Sequence, residues 1–326
     1  MQGSLPNISI IIPLYNEEEN IEPLINELSS ALRDICTPKK QSYEVILIND
    51  GSSDNTSEKL QTLCPNEDSW KTINFSKNRG QTQAIMAGID HSCGEIIVPM
   101  DGDLQNDPND IKILLDAIDE GYEVASGWRK NRKDVFWTKV LPSRIANWLI
   151  SWISGVKLKD YGCTLKAYKK SVLGGFRLYG EMHRFVPIYA DWQGARIKEV
   201  EVNHRPRING KSNYGLRRIF KVLLDLLVVK FLTQYDGKPI YMFGIAGFSF
   251  FTISFFAGVW AVYLKFFDNT PFISTPLPLL FTLGFITGVI CILMGLLAEV
   301  LIRIYYESLN KKQYIIDDEH KKKGAL

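Results

Sequence analysis

Between residues 8 and 128, short apolar runs alternate with longer stretches of helical periodicity. Continuous apolar strands separated by helices are typical of a mostly parallel α/β sheet, because helices cover both faces of such a sheet. Ligands bind beyond the carboxyl ends of its strands, so polar motifs at those ends predict one shared cleft. The predicted strands are 8–13, 43–49, 70–75, 95–99 and 124–128, and the predicted helices are 20–35, 56–63, 82–92 and 108–120.

Two later segments have the pattern of amphipathic helices. The first, 143–153, has a polar face of Ser143, Asn147 and Ser151, with Trp148 and Trp152 among its apolar residues. The second, 216–232, has a face of Arg217, Arg218, Lys221 and Asp225. Basic amphipathic helices with aromatic residues suit a membrane interface, and the second segment favours that interpretation. Packing onto the core of the same domain is the alternative, and the first segment fits either.

Residues 240–264 and 270–298 contain no charged residue, and each segment exceeds the ~20 residues needed to cross a bilayer. They predict a two-helix membrane hairpin. Basic residues accumulate on the cytoplasmic side of membranes, and here they flank both ends of the hairpin. Both ends are therefore expected in the cytoplasm, in a multi-pass protein of the cell inner (plasma) membrane. The flanking basic residues are Lys230, Lys238, Arg303, Lys311 and Lys312.

The same hairpin contains glycines at a spacing that allows helices to approach closely. Small residues at helix interfaces favour association within membranes. The spacing allows the hairpin to pack against copies of itself in a homo-oligomer, although the sequence alone does not fix the oligomeric state. The glycines are Gly244, Gly247, Gly284 and Gly288.

Composition narrows the class of protein. The chain has 326 residues, of which 46% are hydrophobic and 23% charged, with a formal net charge of +2. Nucleic-acid binders usually show a strong basic excess, so this balance argues against a nucleic-acid partner. The five cysteines form no CxxC pair, which favours reduced thiols in a cytosol-facing protein. The N-terminal sequence has no secretory signal pattern.

Asp101 and Asp103 follow the apolar run 95–100 and carry the most chemical information. Side chains two apart on an extended segment point the same way, so both carboxylates can face one hard cation. Magnesium is usually held by one or two carboxylates, with phosphate oxygens completing its shell. The motif therefore predicts a divalent-metal site for a phosphorylated ligand. Because an Asp-x-Asp triplet is common, the interpretation depends on the neighbouring motifs.

The first strand ends at Pro13, which is expected to stop its hydrogen-bond ladder. Tyr15, Asn16 and Glu17 offer stacking and hydrogen bonds to a planar base. Acidic residues at this point also suit the N-terminus of the following helix.

The second strand ends in Asn49-Asp-Gly-Ser-Ser-Asp54. Gly51 permits a tight turn, and Ser52, Ser53 and Asp54 suit caps for the next helix. Capping does not need Asp50, which is therefore a candidate for binding the base or the ribose. Arg79, after the third strand, is a candidate for phosphate or for a cap.

Taken together, these motifs resemble family 2 of the inverting glycosyltransferases, which have the GT-A fold, a Rossmann-like nucleotide-sugar-binding domain. The most similar subgroup is the polyprenyl-phosphate glycosyltransferases, which includes dolichol-phosphate mannose synthase and bacterial undecaprenyl-phosphate glucosyltransferases. The resemblance covers about 8–214, and the two C-terminal spans match the bacterial members. The motifs are Pro13-x-Tyr-Asn-Glu17, Asp50-Gly-Ser-Ser-Asp54, Asn78-Arg-Gly80 and Asp101-x-Asp-x-Gln105.

The resemblance implies roles for individual residues. Mg²⁺ or Mn²⁺ would be held by Asp101, Asp103 and Gln105. The nucleotide sugar would be bound by Pro13, Tyr15, Asn16, Glu17, Asp50, Arg79, Asp101 and Gln105. The catalytic residues would be Asp103, Asp160 and Arg129. The acceptor phosphate would be bound by Arg129, Arg205 and Lys211.

Two departures from the family pattern affect these roles. Thr164 replaces the last glycine of the element that begins at Asp160, which changes the shape of the loop on the acceptor side. Asn213 stands where the family has Lys, so Lys211 is expected to supply the charge.

The implied reaction transfers a hexose, with glucose from UDP-glucose favoured, to undecaprenyl phosphate with inversion. GDP-mannose or another UDP-sugar is the alternative donor. A processive polysaccharide synthase is a weaker interpretation, because Gln193-Gly-Ala-Arg-Ile197 lacks the expected Trp and two spans are too few for a polymer channel. A catalytically dead sugar-binding membrane protein is disfavoured by the intact Asp101, Asp103 and Arg129.

The predicted organisation has four parts. A cytoplasmic catalytic domain spans 1–215, with an interfacial helix within 134–155. A juxtamembrane amphipathic helix spans 216–235, the membrane hairpin 239–303 and a cytoplasmic tail 304–326.

Overall fold

A computed structural model of the chain describes residues 6–65, 67–130, 141–174, 178, 180, 182–206 and 239–308. The chain divides into two compact units, Met1–Val229 and Lys230–Leu326. The predicted juxtamembrane helix at 216–235 and the tail from 309 onward lie outside the described residues.

The first unit is an α/β domain. Its strands are β1 (Ile8–Leu14), β2 (Tyr43–Asn49), β3 (Trp70–Asn74), β4 (Ile96–Pro99), β5 (Val124–Trp128), β6 (Lys166–Lys169) and β7 (Ile197–Glu201). Its helices are α1 (Ile21–Lys39), α2 (Thr56–Leu63), α3 (Gln81–His91), α4 (Ile111–Asp119), α5 (Leu141–Ser154), α6 (Lys170–Leu173) and α7 (Val186–Trp192), with short 3₁₀ turns at Pro108–Asp110 and Met182–Phe185.

The strands form one sheet in the order β3-β2-β1-β4-β6-β5-β7. Strand β6 runs antiparallel to both of its neighbours, and the other pairs are parallel. The prediction of a mostly parallel sheet is confirmed. Strands β6 and β7 were not predicted, because β6 has four residues and β7 (IKEVE) alternates with charged side chains.

The core lies on both faces of the sheet, as expected when successive strand residues point to opposite sides. Ile10 and Ile12 of β1 pack with apolar residues of α1 and α4, while Ile11 packs with residues of α3, α5 and α7. Buried side chains on both faces of the sheet therefore hold the strands in place, and with them the motifs at the strand ends.

Pro13 does not end β1, contrary to the sequence prediction. The strand continues to Leu14, whose carbonyl accepts the Asp50 N–H at 2.8 Å on the β2 side. On the other side, Met100 N–H donates to the Ile11 carbonyl, and pairing with β4 then stops. Pro13 faces that side, where its missing N–H has no strand to pair with.

Helix α5 confirms the predicted amphipathic pattern and shows which face is turned inward. Asn147 is buried and donates to the Lys159 carbonyl at 2.7 Å, and Ser151 donates to the Leu158 carbonyl at 3.2 Å. Trp148 and Trp152 are 67% and 72% exposed. The polar face therefore packs against the protein, and the indoles point outward.

The second unit contains α8 (Ile240–Phe267) and α9 (Leu277–Ser308), joined through a 3₁₀ turn at Phe272–Ser274. By length and composition, Ile240–Phe267 and Leu277–Ile302 are candidate membrane spans. Most of their large apolar side chains are exposed, including Phe256 and Trp260.

The glycines predicted to pair copies of the hairpin pack mainly within it. A Cβ on Gly247 would lie 3.0 Å from the Gly288 carbonyl, and one on Gly284 would lie 3.1 Å from Ser254. A Cβ on Gly288 would lie 2.6 Å from the Phe251 ring, whereas Gly244 has nothing within 4 Å. Three of the four glycines thus bring α8 and α9 together, and they offer no support for pairing between copies.

Candidate active site

Asp101 and Asp103 lie just beyond the end of β4, where the sequence predicted the centre of the site. Asp103 is 8% exposed, and its Oδ1 accepts the Gln105 N–H at 3.2 Å. Asp101 Oδ1 accepts a hydrogen bond from the Gln81 amide at 2.7 Å. The Gln105 side-chain amide donates to the Arg205 carbonyl at 3.3 Å, which leaves its carbonyl oxygen as a possible third ligand.

The backbone around these carboxylates is constrained. Leu104, between Asp103 and Gln105, has a φ of 61°, a left-handed conformation that costs a non-glycine residue about 1–2 kcal/mol. At Gly102, a Cβ would lie 2.3 Å from Leu14 Cδ2, so a side chain there would displace the Leu14 side chain. Strain of this kind persists where the surrounding structure fixes a functional geometry.

The electrostatics of the pair fit a divalent cation. Burial and the neighbouring Asp103 carboxylate raise the pKa of Asp101 to about 6, against the opposing effects of Thr164, Arg129 and Arg184. A divalent ion between the carboxylates would offset their repulsion. No cluster of three or more His, Cys, Asp or Glu occurs within the described ranges. Two carboxylates with the Gln105 amide nearby fit an ion whose remaining ligands come from substrate oxygens.

The first two motifs are held together by hydrogen bonds between their loops. Asn16 N–H donates to Ser52 Oγ at 3.0 Å, and Ser53 N–H donates to Asn16 Oδ1 at 2.8 Å. Glu17 N–H donates to Thr56 Oγ1 at 3.0 Å. Tyr15 remains 43% exposed at this edge, and stacking of a base on it stays a prediction.

Asp54 precedes the N-cap residue of α2, which is Asn55, and accepts the Thr56 N–H at 3.0 Å. Gly51 has a φ of 65°, and a Cβ there would lie 2.3 Å from the Lys77 backbone. This glycine therefore allows the loop after β2 to approach the loop after β3.

Asp50 is 3% exposed and holds the loop after β3 in place. Its two oxygens accept the N–H groups of Arg79 and Gly80 at 2.7 and 2.8 Å. Each oxygen keeps a second lone pair, so binding of the base or ribose by Asp50 stays a prediction. The Arg79 side chain is exposed.

On the predicted acceptor side, Arg129 and Asp160 form a buried bidentate ion pair. Arg129 Nε and Nη2 donate to the two Asp160 oxygens at 2.7 and 3.0 Å, and the side chains are 12% and 4% exposed. Gly162 N–H donates to the same carboxylate at 3.1 Å. A bidentate pair of this geometry fixes the plane of the guanidinium, so Asp160 is suited to orienting Arg129.

Arg205 is next to the metal-binding motif, since its N–H donates to the Gln105 carbonyl at 2.9 Å. Its guanidinium contacts Glu27 at 2.6 Å and Asp107 at 2.9 Å. Binding of an acceptor phosphate by Arg205 would have to compete with these carboxylates, and it stays a prediction. Lys211 lies outside the described residues.

Three residues near Asp101 were missed by the sequence interpretation. The Gln81 amide hydrogen-bonds its carboxylate, and Thr164 and Arg184 both favour its charged form. Gln81 directly follows the quoted motif Asn78-Arg-Gly80, and Thr164 stood out as a departure from the family pattern. Arg184 lies in the turn Met182–Phe185, which has no recognisable motif. Through Gln81 and Thr164, Asp101 joins the nucleotide side of the site to the acceptor side.

A mostly parallel, mixed sheet with paired carboxylates at the exit of a central strand defines a GT-A glycosyltransferase. The model of Glycosyl transferase family 2 matches residues 9–179. The chain belongs to this family and is an enzyme that transfers sugars.

Two curated relatives match almost the whole chain. Dodecaprenyl-phosphate galacturonate synthase of Rhizobium johnstonii is 36% identical over 313 residues, covering 95% of this chain and 91% of the relative. Undecaprenyl-phosphate 4-deoxy-4-formamido-L-arabinose transferase of Yersinia pestis is 33% identical over 314 residues, covering 96% and 93%. The chain is thus related to transferases that act on polyprenyl phosphates.

Solved structures of glucosyl-3-phosphoglycerate synthase from Mycobacterium tuberculosis share the fold. The complex with Mn²⁺, UDP and phosphoglyceric acid has a TM-score of 0.54 at 16% identity, covering 70% of this chain and 78% of that one. The complex with Mg²⁺ and UDP has a TM-score of 0.53 at 17% identity, covering 70% and 79%.

Proposed function

We propose that the protein transfers a sugar from a nucleotide diphosphate sugar to the phosphate of a polyprenyl phosphate, with inversion at the anomeric carbon. The observation that carries this proposal is the shared position of Asp101. Its carboxylate accepts a hydrogen bond from Gln81, after the nucleotide-side loops, and its charged form is favoured by Thr164, on the loop that holds Arg129 through Asp160. One cleft can thus hold a diphosphate and an acceptor phosphate side by side.

The acceptor is already an anion at neutral pH, so its oxygen needs little activation by a base. A phosphate oxygen attacks the anomeric carbon, the bond to the diphosphate breaks, and the nucleoside diphosphate leaves with the bonding electrons. Arg129 offsets the repulsion between acceptor and donor phosphates, and Asp160 fixes its guanidinium plane. A preorganised donor of this kind contributes about 3–4 kcal/mol to the transition state.

A divalent ion fits the pair Asp101 and Asp103, with Gln105 as a third ligand. Bound there, Mg²⁺ or Mn²⁺ would act as a Lewis acid on the leaving diphosphate. Tyr15, Asn16 and Glu17 lie at the edge proposed for the base.

The glucose donor favoured by the resemblance has no support from the relatives. Their names give galacturonate and 4-deoxy-4-formamido-L-arabinose as the transferred sugars. We therefore propose a UDP-linked sugar that carries a substituent absent from glucose.

The proposal is tested with the purified full-length protein in lipid nanodiscs containing polyprenyl phosphate. We expect a lipid-linked sugar to form from at least one UDP-sugar, and EDTA to stop its formation. If product forms only on lipid-free acceptors, the assigned acceptor is wrong.

The outward face of α5 supports attachment of the catalytic unit to the membrane. Arg144, Trp148 and Trp152 follow one another at four-residue intervals, and all three are exposed. Basic and aromatic side chains on one helical face suit the boundary between lipid headgroups and acyl chains. We propose that this face holds the site against the cytoplasmic leaflet, where a polyprenyl phosphate presents its headgroup.

Replacing Trp148 and Trp152 by Ala is expected to raise the KM for a nanodisc-embedded acceptor about tenfold, because partial burial of two indoles is lost. The KM for a water-soluble short-chain acceptor should not change. Trp192→Ala, which removes another exposed indole, is the control. Equal effects on both acceptors would count against the membrane role.

A further inference from the structure

A pocket lies beneath the loop 160–164, beside the proposed metal site. Its polar lining includes Thr164, Lys166, His183 and Arg184, and its apolar lining includes Ile85, Ile97, Leu173 and Val186. Three of the lining residues are basic and none is acidic. Neither the metal site nor the Arg129–Asp160 pair requires these basic residues.

Lys166 is the most unusual of them, because it is 2% exposed. Its Nζ donates to the Tyr161 carbonyl at 3.1 Å and to the Cys163 carbonyl. An ammonium group has three N–H donors, so the two carbonyls leave one. Within the described part of the chain, Lys166 forms no ion pair with a carboxylate.

The side chain opposite Lys166 does not supply the third acceptor. Ser126 is its register partner across β5 and β6, and the buried Ser126 hydroxyl has no hydrogen-bond partner among the described residues. A buried ammonium group without a counter-ion is costly. The pocket therefore favours a ligand group that brings negative charge.

The position of the pocket limits which ligand can bring that charge. Thr164 lines the pocket and also favours the charged form of Asp101, so the pocket adjoins the place where the donor diphosphate is proposed to bind. The part of the donor next to the diphosphate is the sugar. A carboxylate on that sugar would meet Lys166, with Thr164 and Arg184 beside it.

We propose that this pocket receives the carboxylate of the donor sugar, and that the donor is a nucleotide-linked uronic acid. The inference rests on the proposed function and names its substrate class. Lys166 is then a specificity-determining residue: it contacts the sugar rather than the reacting atoms. The surrounding apolar residues strengthen the attraction, because the local dielectric constant is low.

The test uses donors matched in every position except C6. UDP-galacturonate is compared with UDP-galactose, and UDP-glucuronate with UDP-glucose, using the full-length protein in nanodiscs with polyprenyl phosphate. We expect at least one uronate to exceed its neutral partner in kcat/KM by about 10- to 100-fold. This ratio corresponds to the free energy of one charge-assisted hydrogen bond. Neutral donors used as well as both uronates would overturn the inference.

Lys166→Met should remove this preference by raising the KM for the uronate, with little change for the neutral partner, whereas Lys166→Arg should keep it. Lys170→Met is the matched control, since Lys170 also donates to a backbone carbonyl, that of Ser92 at 2.6 Å, and does not line the pocket. A purely structural role for Lys166 would lower kcat/KM for both donors equally, which would also overturn the inference. If Lys166→Met does not fold, the wild-type kcat/KM values for the matched donor pairs decide whether the inference holds.

Calorimetric titration of each donor without acceptor separates the two proposals. Tighter binding of a uronate, combined with no transfer to polyprenyl phosphate, would overturn the proposed function and support the pocket. Transfer to polyprenyl phosphate without a uronate preference would overturn the pocket assignment alone.

Discussion

Asp103→Asn is expected to lower kcat for sugar transfer by about 10³-fold and to abolish tight binding of Mn²⁺. The amide can still accept the Gln105 N–H, so the local turn should persist, but one of the two carboxylates facing the ion is gone. Initial rates with a labelled donor and calorimetric Mn²⁺ titration measure the two effects. Asp110→Asn is the control: Asp110 is also buried, but its carboxylate binds Asn203. Normal turnover of Asp103→Asn would contradict the metal assignment.

The same site predicts a pH dependence for the wild-type enzyme. Burial and Asp103 raise the pKa of Asp101 to about 6, and the metal needs the deprotonated form. Protons should therefore compete with the ion as the pH falls through about 6, and the apparent Kd for Mn²⁺ should rise below that pH. An affinity that stays constant from pH 7 to pH 5 would show that Asp101 is not a ligand.

Arg129→Met is expected to lower kcat/KM for the acceptor by about 10²- to 10³-fold, because the acceptor phosphate loses its main cation. The variant should also lose about 3–5 kcal/mol of unfolding free energy, since the Asp160 carboxylate, 4% exposed, loses its counter-ion. Transfer assays and thermal unfolding measure the two losses.

Combining Arg129→Met with Asp160→Asn separates activity from stability. With both charges removed, most of the lost stability should return, whereas activity should not. Asp160→Asn alone should raise the acceptor KM and leave the pH profile of kcat unchanged. Loss of the acidic limb of that profile in Asp160→Asn would instead assign Asp160 as the base.

The fold was largely predictable because apolar runs and helical periodicity mark elements that bury side chains. Strands β2 and β5 and helix α2 occur at the predicted residues. Strands β6 and β7 were not predicted because their own composition is not typical of strands. They are stabilised by pairing with strands that are distant in the sequence. Pro13 shows the same limit, since its effect depends on which neighbouring strand it faces.

The site was predictable at the level of motifs and less so at the level of partners. The carboxylates at β4 and the loops at β1 and β2 come together as expected. By contrast, the Glu27 that holds Arg205 lies 178 residues away in the sequence, and no local pattern reveals it. For α5, the sequence identified two faces, but only the carbonyls of Leu158 and Lys159 explain why the polar one turns inward.

The position of Asp101 between two segments bears on attempts to re-engineer this enzyme. Gln81, after β3, and Thr164, on the loop 160–164, both act on the Asp101 carboxylate. If only one of these two segments is replaced by that of a homologue, the position of the Asp101 carboxylate should change, and the other segment depends on that position as well. Exchange of sugar preference between family members should therefore succeed when both segments are swapped as a set, and single-loop chimeras should be poor catalysts.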